Sequence, residues 1–317
     1  MDLKFDFNHV MLLPRECVVE SRGDTDVSAK LGKRTFRIPL MAANMPSIID
    51  ETIAIELAKR NYFYVMHRVD IDILQFVAKM KSLGLFTSIA IGIKKPFHDL
   101  IDKLHAEGLV PDYVTIDLAN GHCQRTKLMI EHLRSKFGDE TFIIAGNVAT
   151  QEAVIDLESW GADATRVGLG PGYVCTTSPR TGFGSRGWQL SAIADCAKVA
   201  KKVIIADGGV RSSGDIAKAI HFGAHWVMSG LFFTGHKESP GEVVVENNVT
   251  YKTYYGNASA QCKQSNSRIE GRSTLIPVET SLYDKLIEVE EDLQSAVSFS
   301  GGTKLEDITK VDHVFIR

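Results

Sequence analysis

Val203-Ile-Ile-Ala-Asp-Gly-Gly-Val-Arg-Ser-Ser-Gly-Asp-Ile-Ala-Lys-Ala-Ile220 holds one complete copy of the unit from which this chain is built. Val203–Ala206 is apolar without a break, Asp207-Gly-Gly209 supplies a polar, glycine-rich end, and Ser213-Gly-Asp opens a helical pattern that runs to Phe222. An apolar run that does not alternate is what a parallel strand covered on both faces requires. A hydroxyl just ahead of the helix caps its free N–H groups. The same order recurs on both sides of this stretch. Apolar runs stand at Ile38–Ala42, Tyr62–Met66, Phe86–Ile91, Tyr113–Ile116, Phe142–Ala145, Ala164–Val167, Val203–Ala206 and His225–Met228. Amphipathic stretches between them include Ile49–Arg60, Ile71–Leu83, Thr150–Trp160, Ala192–Lys201 and Ser213–Phe222. The spacing, roughly 20 to 35 residues, is that of one strand plus one helix. Eight such units predict an α/β fold, a closed (β/α)8 TIM barrel spanning residues 1–317 as one domain. An open doubly wound sheet would carry a glycine-rich G-x-G-x-x-G turn after its first strand, but Asn44-Met-Pro-Ser47 stands there.

Barrel active sites form at the carboxyl ends of the strands. Those ends carry Asn44, His67-Arg68, Gly92, Asp117 with Asn120-Gly-His122, Gly146-Asn147, Gly168, Asp207-Gly-Gly209 and Ser229-Gly230. Strands must end somewhere, and Gly, Asn and Asp end them cheaply, yet so many polar ends on one rim point to a working face. Two segments lie outside the repeat. Residues 1–36 form an N-terminal extension expected to cover the barrel's bottom or touch a neighbour. Residues 235–279 follow the eighth strand, hold Tyr251–Ser259 and the polar run Gln261–Arg272, and read as a structureless insertion at the rim. Such an insertion is more often a lid or active-site flap than filler. A last helix is expected over Leu282–Ala296.

A formal net charge of -3 on 317 residues gives no reason to expect a nucleic-acid or membrane partner. The charged start Met1–Val10 does not resemble a signal peptide, and no apolar run approaches the ~18 residues of a membrane-spanning helix. Five scattered cysteines, without a C-x-x-C pair, favour neither a disulfide framework nor a zinc site and fit a reducing cytoplasm.

Gly168-Leu-Gly-Pro-Gly-Tyr-Val-Cys-Thr-Thr177 carries the chemistry. Its glycines let backbone groups turn inward without Cβ obstruction, and such a loop takes an anion through its amides or a cation through its carbonyls. Most free cysteines are small buried hydrophobes. Cys175, however, stands at the tip of a glycine loop over the barrel mouth, where a thiolate is placed to attack. In barrels the loops after strands seven and eight frequently form a phosphate cup; here they are Asp207-Gly-Gly209 and Ser229-Gly230. Like charge keeps Asp207 off a phosphate, whereas a ribose diol suits a carboxylate, so a nucleoside monophosphate is expected.

Gly170-Pro-Gly-Tyr-Val-Cys-Thr-Thr177, Ala206-Asp-Gly-Gly209, Tyr255-Gly256, Glu270-Gly271 and Gly301-Gly-Thr-Lys-Leu305 together resemble the IMP dehydrogenase/GMP reductase family, over essentially the whole chain. Three features resemble its reductase branch, in the shorter bacterial form. His67-Arg68 runs straight into the next helix, leaving no room for the regulatory CBS insert of the dehydrogenases. No Arg-Tyr dipeptide, the dehydrogenases' water-activating pair, occurs. The stretches Tyr62–Arg68 and Gln294–Leu305 complete the likeness. An insert-free IMP dehydrogenase oxidising IMP with NAD+ is the nearest rival. A nucleotide sensor would need no Cys175, Thr177 and Glu270 together, and a phosphosugar isomerase or aldolase usually shows a Lys or Glu at an inner strand end.

The resemblance implies NADPH-dependent reductive deamination of GMP to IMP and ammonia through a covalent thioimidate on Cys175, with Thr177 and Glu270 as the proton relay. It implies GMP contacts at Asp207, Gly208, Gly209, Ser229, Gly230, Tyr255 and Gly256. The NADPH positions it implies are Ser21, Arg22, Arg68, Asp117, Leu118, Ala119, Val167 and Gly168; the guanidinium forks of Arg22 and Arg68 suit phosphates. A monovalent cation (K+) held by carbonyls at Gly168, Gly170 and Cys175, and a homotetramer in which Ser21-Arg22 reaches a neighbour's cofactor, are implied as well. The chain departs from the family at Tyr173, where many relatives carry Ser or Arg, and at Arg68, which is Lys in the animal-type reductases.

Overall fold

In this computed structural model the described residues are 4–263 and 267–316. Residues 1–3 of the charged start, 264–266 of the run Gln261–Arg272, and 317 lie outside them. Eight parallel strands, β1 (Leu40–Ala42), β2 (Phe63–Tyr64), β3 (Ser88–Ile91), β4 (Tyr113–Asp117), β5 (Phe142–Val148), β6 (Ala164–Val167), β7 (Val203–Asp207) and β8 (Trp226–Ser229), pair in the order β2-β1-β8-β7-β6-β5-β4-β3. The two ends of this order meet at Met66, whose N–H donates to Ser88 O at 3.0 Å and whose carbonyl accepts from Ala90 N at 2.8 Å. The sheet therefore closes on itself as a (β/α)8 barrel. Helices α1 (Glu51–Lys59), α2 (Ile73–Ser82), α3 (Lys95–Ala106), α4 (Gln124–Phe137), α5 (Gln151–Ser159), α6 (Gln189–Ala197), α7 (Ser213–His221) and α8 (Leu282–Phe299) follow the strands in turn.

Each expected apolar run became a strand because side chains on both of its faces are covered, by the barrel interior on one side and the helices on the other. Capping residues set the helix starts. Thr150 Oγ1 accepts from Ala153 N at α5. At α7 the cap is Ser212 rather than the expected Ser213: its Oγ accepts from Asp215 N at 3.3 Å, and the Asp215 carboxylate accepts from Ser212 N in return. Adjacent serines cannot be told apart by composition; the geometry of the reciprocal box chooses the earlier one.

The amino-terminal end of the barrel is plugged by aromatic rings. Phe63 lies 5.1 Å from Phe36, 4.9 Å from Tyr113 and 5.7 Å from Trp226, all edge-on. The hairpin of Ala29–Leu31 with Arg34–Phe36 covers this plug, its Leu31 and Lys30 carbonyls accepting from Tyr113 Oη and Trp226 Nε1. With that end filled, ligand access is left to the carboxyl ends of the strands. Phe63 is fully buried, so Phe63→Ala should lower the unfolding free energy by ~3–5 kcal/mol, read as a fall in the urea midpoint at unchanged slope.

The insertion after β8 differs from the structureless segment expected. It folds as an antiparallel sheet of β9 (Val243–Glu246), β10 (Val249–Tyr255) and β11 (Ser273–Pro277). Asn247 and Asn248, at φ 51° and 62°, form the tight turn between β9 and β10, the two-residue hairpin geometry that asparagine tolerates. Val243-Val-Val and, apart from Lys252, Thr250–Tyr255 are β-branched or aromatic, as strands favour. Among the described residues no helix is long and apolar enough to cross a membrane.

Candidate active site

A cavity of about 350 Å³ opens at the carboxyl ends of the strands. Cys175, Thr177 and Glu270 line it together with Gly208, Gly209, Ser229, Gly230 and Gly256. Arg68, Asp117, Leu118, Ala119, Gly168 and Gly170 line it too. The loop after β6 brings Cys175 over the mouth. It leaves the strand at Gly168, with φ +149° and so little room that a Cβ would stand 1.9 Å from Asp207 O. Only glycine allows the chain to cross the end of β7 there.

Cys175 Sγ donates to Thr177 Oγ1 at 3.3 Å, and Thr177 Oγ1 donates to Glu270 Oε2 at 2.6 Å. A thiol, a hydroxyl and a carboxylate thus stand in series, an arrangement able to carry a proton from a thiol to a distant base. Glu270 comes from the insertion and is held by backbone pairing. Thr176 N donates to Glu270 O and Arg272 N to Val174 O, both at 2.9 Å, and Cys175 faces Gly271 as an antiparallel bridge. Cys196 offers the contrast: it is buried in α6, and burial pushes its thiol up to about 12, a packing residue.

Arg166, inside a stretch whose periodicity reads as purely apolar, is the main residue the sequence left unmarked. Its guanidinium lies in the barrel interior with a side chain 5% exposed. Nη2 donates to Asp207 Oδ2 at 2.7 Å and Nη1 to Asp117 Oδ1 at 3.1 Å. Burial pushes the Asp117 carboxyl up, but the charges of Arg166 and Arg68 outweigh it and hold Asp117 below its ordinary value. Burial likewise opposes the charge on Arg166, and Asp207 and Asp117 together raise its pKa nonetheless. Asn147 Nδ2 adds a 2.6 Å bond to Asp207 Oδ2, leaving Oδ1 as the oxygen of Asp207 without such partners among the described residues. The signal was present: a charge in a strand covered on both faces has to be paired inside.

Other expected residues fall differently. Tyr255 is not at the cavity; its backbone N–H and carbonyl both bond Ser47 Oγ. Tyr254 takes that place, buried, with its ring stacked 6.3 Å from Tyr173, because a strand sends successive side chains to opposite faces. Val167 is buried under α6, its carbonyl accepting from Gln189 Nε2. Ser21 and Arg22 sit against α8, Arg22 bonding Ser295 Oγ, and do not line the cavity. Arg211, on the loop after β7, lines it unannounced. Asn147 Oδ1, Asn257 Oδ1 and Arg68 Nε are buried at this site without a hydrogen-bond partner among the described residues. Such groups are costly to leave unpaired, so the site is built for a polar ligand.

Residues 4–317 match the family model described as IMP dehydrogenase / GMP reductase domain. The chain belongs to the IMP dehydrogenase / GMP reductase family. It is 55% identical over 312 residues to a GMP reductase of Delftia acidovorans, covering 98% of this chain and 96% of that one. It is 52% identical over 313 residues to a GMP reductase of Mesoplasma florum, covering 99% and 98%. A GMP reductase of Enterococcus faecalis is 51% identical over 314 residues, covering 99% and 96%. Membership in the family agrees with the barrel.

Proposed function

We propose that this protein catalyses reductive deamination in which GMP, NADPH and a proton give IMP, NADP+ and ammonia. The observation that carries the proposal is the Cys175–Thr177–Glu270 chain at the barrel mouth, beside the loops after β7 and β8. The names of the relatives support the same activity. An aromatic amino group is a poor leaving group on a poor electrophile, so a covalent route that divides the task is favoured. In this route Cys175, as thiolate, bonds to C2 of the guanine, and the C2–N bond breaks to leave a thioimidate on Sγ. Its proton passes through Thr177 to Glu270, which returns one to the amine as ammonia departs. NADPH, when bound, would supply a hydride to C2; the C–S bond then breaks with its electrons on Cys175 Sγ, which regains its proton, and IMP is freed.

For the rest of the nucleotide, Gly208, Gly209, Ser229 and Gly230 form the phosphate cup with Arg211 supplying positive charge, and Asp207 Oδ1 accepts from the ribose. The side-chain amides of Asn44, Asn147 and Asn257 and the ring of Tyr254 face the purine. Arg68, whose Nε lacks a partner, and Asp117-Leu-Ala119 hold the nicotinamide cofactor. The proposal also takes residues 235–279 as a mobile flap within a single barrel domain, delivering Glu270 to the thiol. A cytoplasmic homotetramer, in which Ser21 and Arg22 serve a neighbouring copy's cofactor, completes it.

Purified protein should oxidise NADPH only when GMP is supplied, with ammonia appearing in equal amount, as followed by NADPH absorbance and an ammonia assay. Reduction of NAD+ with IMP, and no reaction with GMP, would replace this activity by that of the dehydrogenase.

A further inference from the structure

The carbonyls of the reactive loop are already occupied, and by a side chain. Arg186 Nε donates to Gly170 O at 3.2 Å, and Arg186 Nη2 donates to Gly172 O at 2.9 Å and to Cys175 O at 2.8 Å. The carbonyl of Gly168, the remaining member of the set implied for a monovalent cation, accepts from Asn147 Nδ2 at 2.7 Å. These residues therefore do not fit a metal ion: the oxygens that would ligate it each have a donor of this chain. We propose that Arg186 is a tethered replacement for that ion, a positioning residue whose guanidinium gathers the loop carbonyls and holds Cys175 over the mouth, so that the protein needs no monovalent cation.

The chemistry is matched on both sides. Converging carbonyl dipoles form a site for a large, weakly hydrated cation, and a guanidinium is more weakly hydrated than an ammonium while offering several donors in a fixed fork. Bonds from a charged donor to carbonyls are roughly twice as strong as neutral ones. The chain also delivers the side chain deliberately. Ser185, the residue before Arg186, is pinned on the loop's other end, its N–H bonding Leu169 O at 2.7 Å and its Oγ accepting from Leu169 N at 3.0 Å. Two residues after Arg186, Trp188 Nε1 donates back to Gly184 O at 2.8 Å. Segment 184–188 is thus held at both ends, and from it the exposed Arg186 side chain reaches back to the backbone of Gly170, Gly172 and Cys175.

Hydrogen exchange of the free protein tests this without substrate or cofactor, so its outcome is separate from whether GMP is turned over. Wild type and Arg186→Gly are compared in KCl and in tetramethylammonium chloride, both at roughly 0.1 M so that screening is equal. In the wild type, amides of segment 169–187 should exchange at the same rate in both salts. In Arg186→Gly they should quicken by about tenfold or more in tetramethylammonium, because three guanidinium bonds to carbonyls are lost and one charge-assisted bond alone would account for that factor, and KCl should restore them. Any turnover of the variant should show the same recovery by K+. Protection of the wild-type loop that depends on K+ would overturn the proposal, and that arm needs no variant. So would an Arg186→Gly loop that stays protected in tetramethylammonium, or one that KCl does not restore.

Discussion

Cys175→Ala should abolish turnover, by roughly ten-thousand-fold or more in kcat, while GMP still binds with an affinity within about threefold of wild type. The split follows from where the sulfur stands. It heads the chain Cys175–Thr177–Glu270, so its removal takes away the atom proposed to bond the purine, not the groups that would hold phosphate and ribose. Those groups belong to the loops after β7 and β8, and the β6 loop packs against them through Gly168 and Gly172, not through the Cys175 side chain. Nor should alanine disturb the backbone, because the Cys175–Gly271 bridge and the Thr176–Glu270 bond are main-chain contacts. Stopped-flow NADPH oxidation and calorimetric titration with GMP would measure the two quantities on the same protein. A variant that turns over at close to the wild-type rate would remove the covalent route altogether.

Much of this architecture was legible because its physics is local. A parallel strand covered on both faces writes an apolar run, a cap writes a hydroxyl, and a strand end writes Gly, Asn or Asp; the eight runs and the rim follow from those rules alone. The glycine loop ending in Cys175 was legible for a similar reason, since a thiol in such a place has little packing to do. Glu270 was a different matter. It reaches Thr177 only because the insertion pairs with the loop after β6, and no short-range pattern records a contact 93 positions away. Family resemblance supplied it. Tyr254 and Tyr255 show a further limit: two identical neighbours on a strand differ only in facing, and facing is set by register, which sequence does not print. The sheet in the insertion was hidden by its polar flank, although the Asn247-Asn248 turn was there to be read. Arg186 was hidden more thoroughly, because its partners are carbonyl oxygens and a main chain looks the same in any sequence.

Arg166→Met should cost ~3–5 kcal/mol of stability, as a buried pair broken on one side. Methionine fills similar space, so the cost isolates the charge. Asp117 and Asp207 would remain in the interior, facing each other's charge without the guanidinium that now bonds both. The pH dependence gives the sign. In the wild type the Asp117 pKa is held below its ordinary 3.8, so its contribution is complete above that value and is lost as pH falls through the depressed one. Without Arg166, the burial that already opposes the charged form is countered by Arg68, 3.6 Å away, and by the hydrogen-bonding side chain of Asn44, the charge that did most to oppose it being gone. The Asp117 pKa in the folded variant then rises above the unfolded one, and the variant gains stability as pH falls. The gap between wild type and Arg166→Met should therefore be widest at about pH 7 and narrower by about pH 5, as urea denaturation at both would record. A gap that did not change with pH, or one under ~1 kcal/mol, would mean that the two carboxylates do not depend on Arg166. Adding Asp117→Asn to Arg166→Met should recover part of the loss, since it removes one of the stranded charges. Where GMP turnover is measured, Arg166→Met should raise KM, because the carboxylate proposed to receive the ribose is held in place by Arg166 Nη2 and Asn147 Nδ2.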